Sequence, residues 1–169
     1  FGGVSMRYLI VASLLLSCSL CLAQDSPDNT WQIKSLTAEQ AAKLVTKYKG
    51  KMLLLPGVTS IDKDVAQELA KFVGIKSLGL TSIDKDVAME LAKGKSLSLS
   101  GLTSIDKDVA QELVKGESLS LNSLKSIDKD VAQELAKFQG PWMQLYGLKS
   151  TDEDVLKILK SNERIKLQQ

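Results

Sequence analysis

Five paired aspartates recur along the chain: Asp62/Asp64, Asp84/Asp86, Asp106/Asp108, Asp128/Asp130 and Asp152/Asp154. Carboxylates at this spacing can serve three kinds of chemistry. Stacked in a row they could hold calcium. Set at a defined separation with divergent pKa values, two of them could hydrolyse a glycosidic bond. At the start of a helix they accept bonds from free backbone N–H groups and face the positive end of the dipole. A lysine sits inside each of the first four pairs and dilutes the charge, and no glycine-rich metal-binding repeat accompanies them. Identical pairs in successive copies also do not make one specialised catalytic site. Capping is the reading that the pattern favours. The absence of histidine removes the commonest general base, the usual metal ligand and every Ser-His or Cys-His nucleophile. No enzyme, cofactor or metal is expected.

Two other sets of residues bear on recognition. Ser96, Ser98 and Ser100 would lie over Ser118, Ser120 and Asn122 if successive copies align, with strands about 4.8 Å apart. Such a hydroxyl array could bind carbohydrate or a crystalline surface such as ice, or be only the solvated side of strands. Trp142, Gln144 and Tyr146 alternate along one segment, so they project from one face. Aromatic residues on an exposed strand suit protein hot spots and sugar stacking alike. The competing assignment for Trp142, which follows Gly140-Pro141, is packing inside an inserted loop. Trp142, Gln144, Tyr146, Ser98 and Ser120 are the candidate ligand-binding residues.

The elements that must position these residues come from an internal repeat. Ser60-Ile61-Asp62-Lys63-Asp64-Val65-Ala66 recurs from Ser82, Ser104 and Ser126, with isoleucines at 61, 83, 105 and 127, a spacing of 22. A fifth copy, from Ser150, follows after 24, and a degenerate one around Ser35-Leu36-Thr37 lies 25 before Ile61. Leu97-Ser98-Leu99-Ser100-Gly101-Leu102 alternates as a half-buried strand does, and so do its counterparts from Leu119 and Met143. Ile75-Lys76-Ser77-Leu78 breaks the alternation, so a distorted strand is expected there. Glycine at 57, 79, 101 and 147 marks a bend after the strand. The second half of each copy is a short helix capped by Asp62 and its counterparts, with Val65, Ala66, Leu69 and Phe72 on one face.

The frame Leu97-x-Leu99-x-x-Leu102-x-x-Ile105-x-x-x-x-Ala110-x-x-Leu113 resembles the leucine-rich repeat family, whose period is 20–29 residues. Leu53-Leu54-Leu55-Pro56-Gly57-Val58-Thr59-Ser60-Ile61 looks especially like the subclass found in bacterial surface proteins. The resemblance runs from about Ile33 to Leu167. No copy keeps the asparagine ladder of the commonest repeats, apart from an echo at Asn122. The resemblance implies an α/β solenoid of strand–turn–short-helix rungs, about five over residues 31–169, with protein or glycan recognition on the strand face and no catalysis. Trp31, Ile33 and Leu36 are expected to close the first end, and a last strand within 163–169 the other.

Met6-Arg7 followed by the apolar run Tyr8–Leu16 and by Cys21-Leu22-Ala23 has the layout of a secretory signal starting at Met6 and cleaved after Ala23. Leu15-Leu16-Ser17-Cys18 partly resembles a lipobox, which would make Cys18 a lipid anchor. Residues 24–30 read as a flexible leader. A secreted, periplasmic or cell-surface location is expected, with no membrane span and a monomeric state. The chain has 169 residues, 22 basic and 20 acidic, for a net charge of +2, too near neutral for a nucleic-acid partner. The expected partner is an unidentified protein or polysaccharide. A purely structural spacer remains the alternative.

Overall fold

The computed structural model describes residues 30–49, 52–149 and 152–168. The signal-sequence reading, Cys18 and the leader up to Asn29 fall outside these residues. After a short 3-10 helix, Thr30–Gln32, the elements alternate along the chain. They are α1 (Ala38–Lys47), β1 (Met52–Leu55), α2 (Lys63–Ala70), β2 (Ile75–Leu78), α3 (Lys85–Ala92), β3 (Ser96–Leu99) and α4 (Lys107–Leu113). Then come β4 (Ser118–Ser120), α5 (Lys129–Leu135), β5 (Trp142–Leu145), α6 (Glu153–Lys160) and β6 (Ile165–Leu167). The strands form one parallel six-stranded sheet in the order β1-β2-β3-β4-β5-β6. This is an α/β repeat stack: each strand pairs with the next, and each helix packs on the next. Among the described residues no helix is long and apolar enough to cross a membrane.

Helix starts follow from the aspartates. Asp62, Asp84, Asp106 and Asp128 each accept the backbone N–H three residues on, at 2.8 Å, from an extended N-cap conformation. Asp152 caps α6, and Thr37 with Gln40 forms a reciprocal capping box on α1. Helices of seven to ten residues are marginal alone, so packing must hold them. Val65, Ala66, Leu69 and their counterparts supply it, buried against Leu53, Leu55, Leu97, Leu99, Leu119, Leu121, Met143 and Leu145 of the sheet side.

The glycines after the strands serve contact more than bending. A Cβ at Gly79 would collide with the Pro56 carbonyl, one at Gly101 with the Gly79 carbonyl, and one at Gly147 with the Asn122 carbonyl. Each glycine lets one repeat settle against the backbone of the one before.

At the ends, Ile33 and Leu36 pack on the core, but Trp31 is 63% exposed and does not help to close it. Trp31 falls in the 3-10 helix, where its side chain lies away from the apolar interior. At the other end Asn162 donates to the Ala136 and Phe138 carbonyls at 2.9 and 2.8 Å, which ties the approach to β6 onto the preceding repeat.

Strand β2 is regular rather than distorted. Ile75, Lys76, Ser77 and Leu78 pair in register with both neighbours. The alternation is kept by turning Lys76 inward, between Leu53 and Leu97, and Ile75 outward.

Candidate binding face

Alternate strand residues point away from the helices and build two rows. One runs Met52, Ile75, Ser96, Ser118, Trp142 and the other Leu54, Ser77, Ser98, Ser120, Gln144, Lys166. The serine alignment expected from the repeat is present: Ser96 lies opposite Ser118, and Ser98 opposite Ser120. The hydroxyls are not equally available, however. Ser98 is half-buried, whereas Ser120, between Ser98 and Gln144, is only 8% exposed. Ser100, in the turn after β3, donates its hydroxyl to the Leu78 carbonyl at 3.2 Å, which ties repeats together.

Trp142 and Gln144 share the outward side of β5, and Tyr146 lies in the turn just beyond. Trp142 is 36% and Tyr146 40% exposed, so neither is closed into the core. Asn122 organises this corner. Its Oδ1 accepts the Tyr146 backbone N–H at 3.0 Å, and its Nδ2 donates to Gln144 Oε1 at 3.5 Å. Sequence reasoning placed Asn122 in the serine array and as an echo of a ladder position, and its reach into the next repeat is what makes it a positioning residue. Met52 and Ile75, 50% and 48% exposed, form a second apolar area at the other end of the row, separated from Trp142 by Ser96 and Ser118, and were not singled out from sequence. In Met-Leu-Leu-Leu and Ile-Lys-Ser-Leu no alternation marks which apolar residue faces out. Neither row carries a carboxylate, and Lys166 is the one charged residue in them.

The helical side is built of ion pairs. Lys63, Lys107 and Lys129 reach Asp86, Asp130 and Asp154 of the following repeat at 3.3, 3.3 and 3.0 Å. The Asp154 carboxylate holds the Lys129 ammonium above its ordinary pKa. Within helices, Glu90, Glu112 and Glu134 are buried and meet Lys93, Lys115 and Lys137 at 2.6 Å. The Lys93 and Lys137 hydrogen bonds hold Glu90 and Glu134 below the usual carboxylate range, outweighing burial, with Gln67 and Gln111 of the preceding helix adding bonds. This glutamate column escaped sequence reasoning, although its signal is plain: Glu68, Glu90, Glu112 and Glu134 repeat at 22 with a lysine three residues on. Among the described residues no group of three carboxylates or thiols converges as a metal cage. Asp62, Asp84, Asp106, Asp128 and Asp152 are engaged as caps, and Asp86, Asp130 and Asp154 as inter-repeat partners.

No protein-family model matches the chain, and no curated protein matches it.

Proposed function

We propose that this chain is a leucine-rich-repeat-like α/β solenoid that binds a protein or a glycan through its strand face and carries out no catalysis. The observation that supports it is the contrast between the two sides. The helical side pairs much of its charge, between helices at Lys63–Asp86, Lys107–Asp130 and Lys129–Asp154 and within them at Glu90, Glu112 and Glu134, while the strand side leaves Met52, Ile75, Trp142 and Tyr146 half-exposed on a face without carboxylates. Large apolar side chains in such a position favour a partner that covers them. Trp142, Gln144 and Tyr146 are the best-placed contacts, with Gln144 and Tyr146 tied to Asn122 and Ser98 two strands away in the row of Gln144. The apolar run and Ala23 of the N-terminal segment support export, with the protein free, in the periplasm or at the cell surface, and Cys18 as the anchor if it is lipidated. We read the protein as a monomer.

A second reading, a spacer without a dedicated ligand, draws on the inter-repeat ion pairs, which stiffen the stack whether or not anything binds. Adhesion through a flat serine array is supported less well, because Ser120 is nearly covered and Ser100 is bonded to the backbone.

Binding of the chain to arrayed glycans and to extracellular protein extracts, compared with Trp142→Ala and Tyr146→Ala, tests the proposal. Loss of a hot-spot aromatic is expected to weaken capture about 30-fold, equivalent to roughly 2 kcal/mol, with the melting temperature unchanged. A drop in melting temperature with capture intact would instead assign these residues to packing.

A further inference from the structure

Strand β2 departs from the repeat that surrounds it. The sequence period of 22 aligns Ile75 with Leu53 and Leu97, and Ser77 with Leu55 and Leu99. The sheet instead pairs Lys76 with Leu53 and Leu97, and Leu78 with Leu55 and Leu99. The strand therefore sits one residue out of phase. Its partner spacings are 23 to β1 and 21 to β3, while the isoleucines on either side keep 22.

Three observations show what the displacement costs. It closes the Lys76 ammonium completely away from water with one acceptor, the Phe72 carbonyl at 3.1 Å. It leaves Ile75 48% exposed. It also shortens the segment after the strand. Turns at 56–57, 100–101, 122–123 and 146–147 follow the other described inner strands, and none follows β2. What it gains is the burial of Leu78 in place of Ser77.

We propose that β2 exchanges between this register and one slipped by a single residue, in which Ile75 faces the core and Lys76 joins the strand face between Leu54 and Ser98. A one-residue slip reverses every side chain of a strand. Here the reversal exchanges a buried lysine and leucine for a buried isoleucine and serine, and it frees one residue to rebuild the missing turn around Leu78-Gly79. Each register buries one apolar side chain beside one polar one, Leu78 with Lys76 or Ile75 with Ser77, so neither wins on burial alone. A cation then enters a face whose rows otherwise carry only Lys166, so the slip would alter what that face attracts. The exchange itself does not depend on any ligand.

The charge on Lys76 sets the balance. Its in-register neighbours are Leu53 and Leu97, its acceptor is a backbone carbonyl, and the carboxylates of the adjacent helices, Glu68 and Glu90, are paired to Lys71 and Lys93. Burial alone pushes its pKa down from 10.5 to about 8, and no carboxylate offsets that. Protonation thus favours the register that brings the ammonium to water. As the pH falls from 10.5 to 8 the slipped share should rise about tenfold per unit, and below 8 it should level off.

The test is methyl relaxation dispersion on the full chain labelled at isoleucine and leucine methyls, at pH 7.5 and 9.5. Exchange is expected at Ile75 and Leu78 at pH 7.5. The minor population should fall about 20-fold at pH 9.5. Lys76→Leu, which places at this position the residue of its two neighbours, should abolish the exchange at both pH values. No exchange at Ile75 and Leu78 in the wild-type chain at pH 7.5, or exchange that persists unchanged in Lys76→Leu, would overturn the proposal. Because the wild-type measurement decides alone, the result does not hang on the variant folding, and it is read without any binding partner.

Discussion

Among the described residues, Lys76 is the ammonium whose burial among leucines works most strongly against its charge. Unfolded, Lys76 keeps its proton up to about pH 10.5, whereas folded it does so only to about 8. The unfolded chain therefore binds more protons between these values, and stability rises with pH across that window. Below pH 8 the penalty is present in full. Lys76→Leu is expected to raise stability at pH 7 by about 3 kcal/mol, with the advantage shrinking between pH 8 and 10.5. Urea unfolding of both proteins at pH 7 and pH 10 checks the size and the sign. The buried glutamates act in the opposite sense. Glu90 and Glu134 have folded pKa values held below the ordinary one by Lys93 and Lys137, so their contribution is present above the unfolded value and is lost as pH falls through the folded one. Glu90→Gln with Glu134→Gln should lower the melting temperature at pH 7 and flatten its decline in acid. An acid limb of unchanged steepness in melts from pH 7 to 2.5 would deny them that role.

Elements here are held by two devices of unequal cost. The N-cap aspartate of each helix from α2 to α5 satisfies one backbone donor, so Asp106→Ala should cost about 1 kcal/mol. Gly101 is less replaceable, because a Cβ there meets the Gly79 and Leu80 carbonyls, which are backbone and cannot swing aside. Gly101→Ala should cost roughly 2 kcal/mol by forcing the repeats apart, and the ranking of the two variants by chemical denaturation is the check. Caps and the Val65-Ala66-Leu69 stripe were legible in the sequence, because each rests on contacts within one short segment and the repeat prints it several times. The phase of β2 was not, since Ile-Lys-Ser-Leu lacks the alternation that distinguishes inside from outside. The glutamate column was passed over because a charged residue ordinarily lies at the surface, and only the neighbouring lysine and the glutamine of the preceding helix make its burial affordable. At the candidate face, the segment Trp142-Gln144-Tyr146 could be read from alternation. The covering of Ser120 and the bridging by Asn122 depend on what the adjacent strands bring, which a single repeat does not contain.

Across the described residues the contacts run in one dimension. Strands pair only with sequential neighbours, and so do the helices, so stability should be close to a sum over repeats and the interfaces between them. Removing residues 105–126 would delete α4 and β4 together and join Ser104 to Ile127, which recreates the Ser-Ile-Asp-Lys-Asp sequence of the intact junction. Strand β3 would then meet β5, placing Ser96 opposite Trp142 and Ser98 opposite Gln144 by the register each already keeps with β4. The losses specific to this joint are the Asn122 bonds to the Tyr146 backbone and the Gln144 side chain, and the Ser123 bond to the Ser100 carbonyl. The shortened chain is expected to fold in one cooperative transition, with a urea m-value lower by roughly 15%, in proportion to the surface no longer buried. Its stack should be shorter by about 4.8 Å, one strand spacing, measurable by small-angle scattering. If the deletion instead abolished folding, the stability of the stack would lie in contacts that skip repeats. Among the described residues the sheet sets each strand beside its sequential neighbours, and the main helix contacts follow the same order.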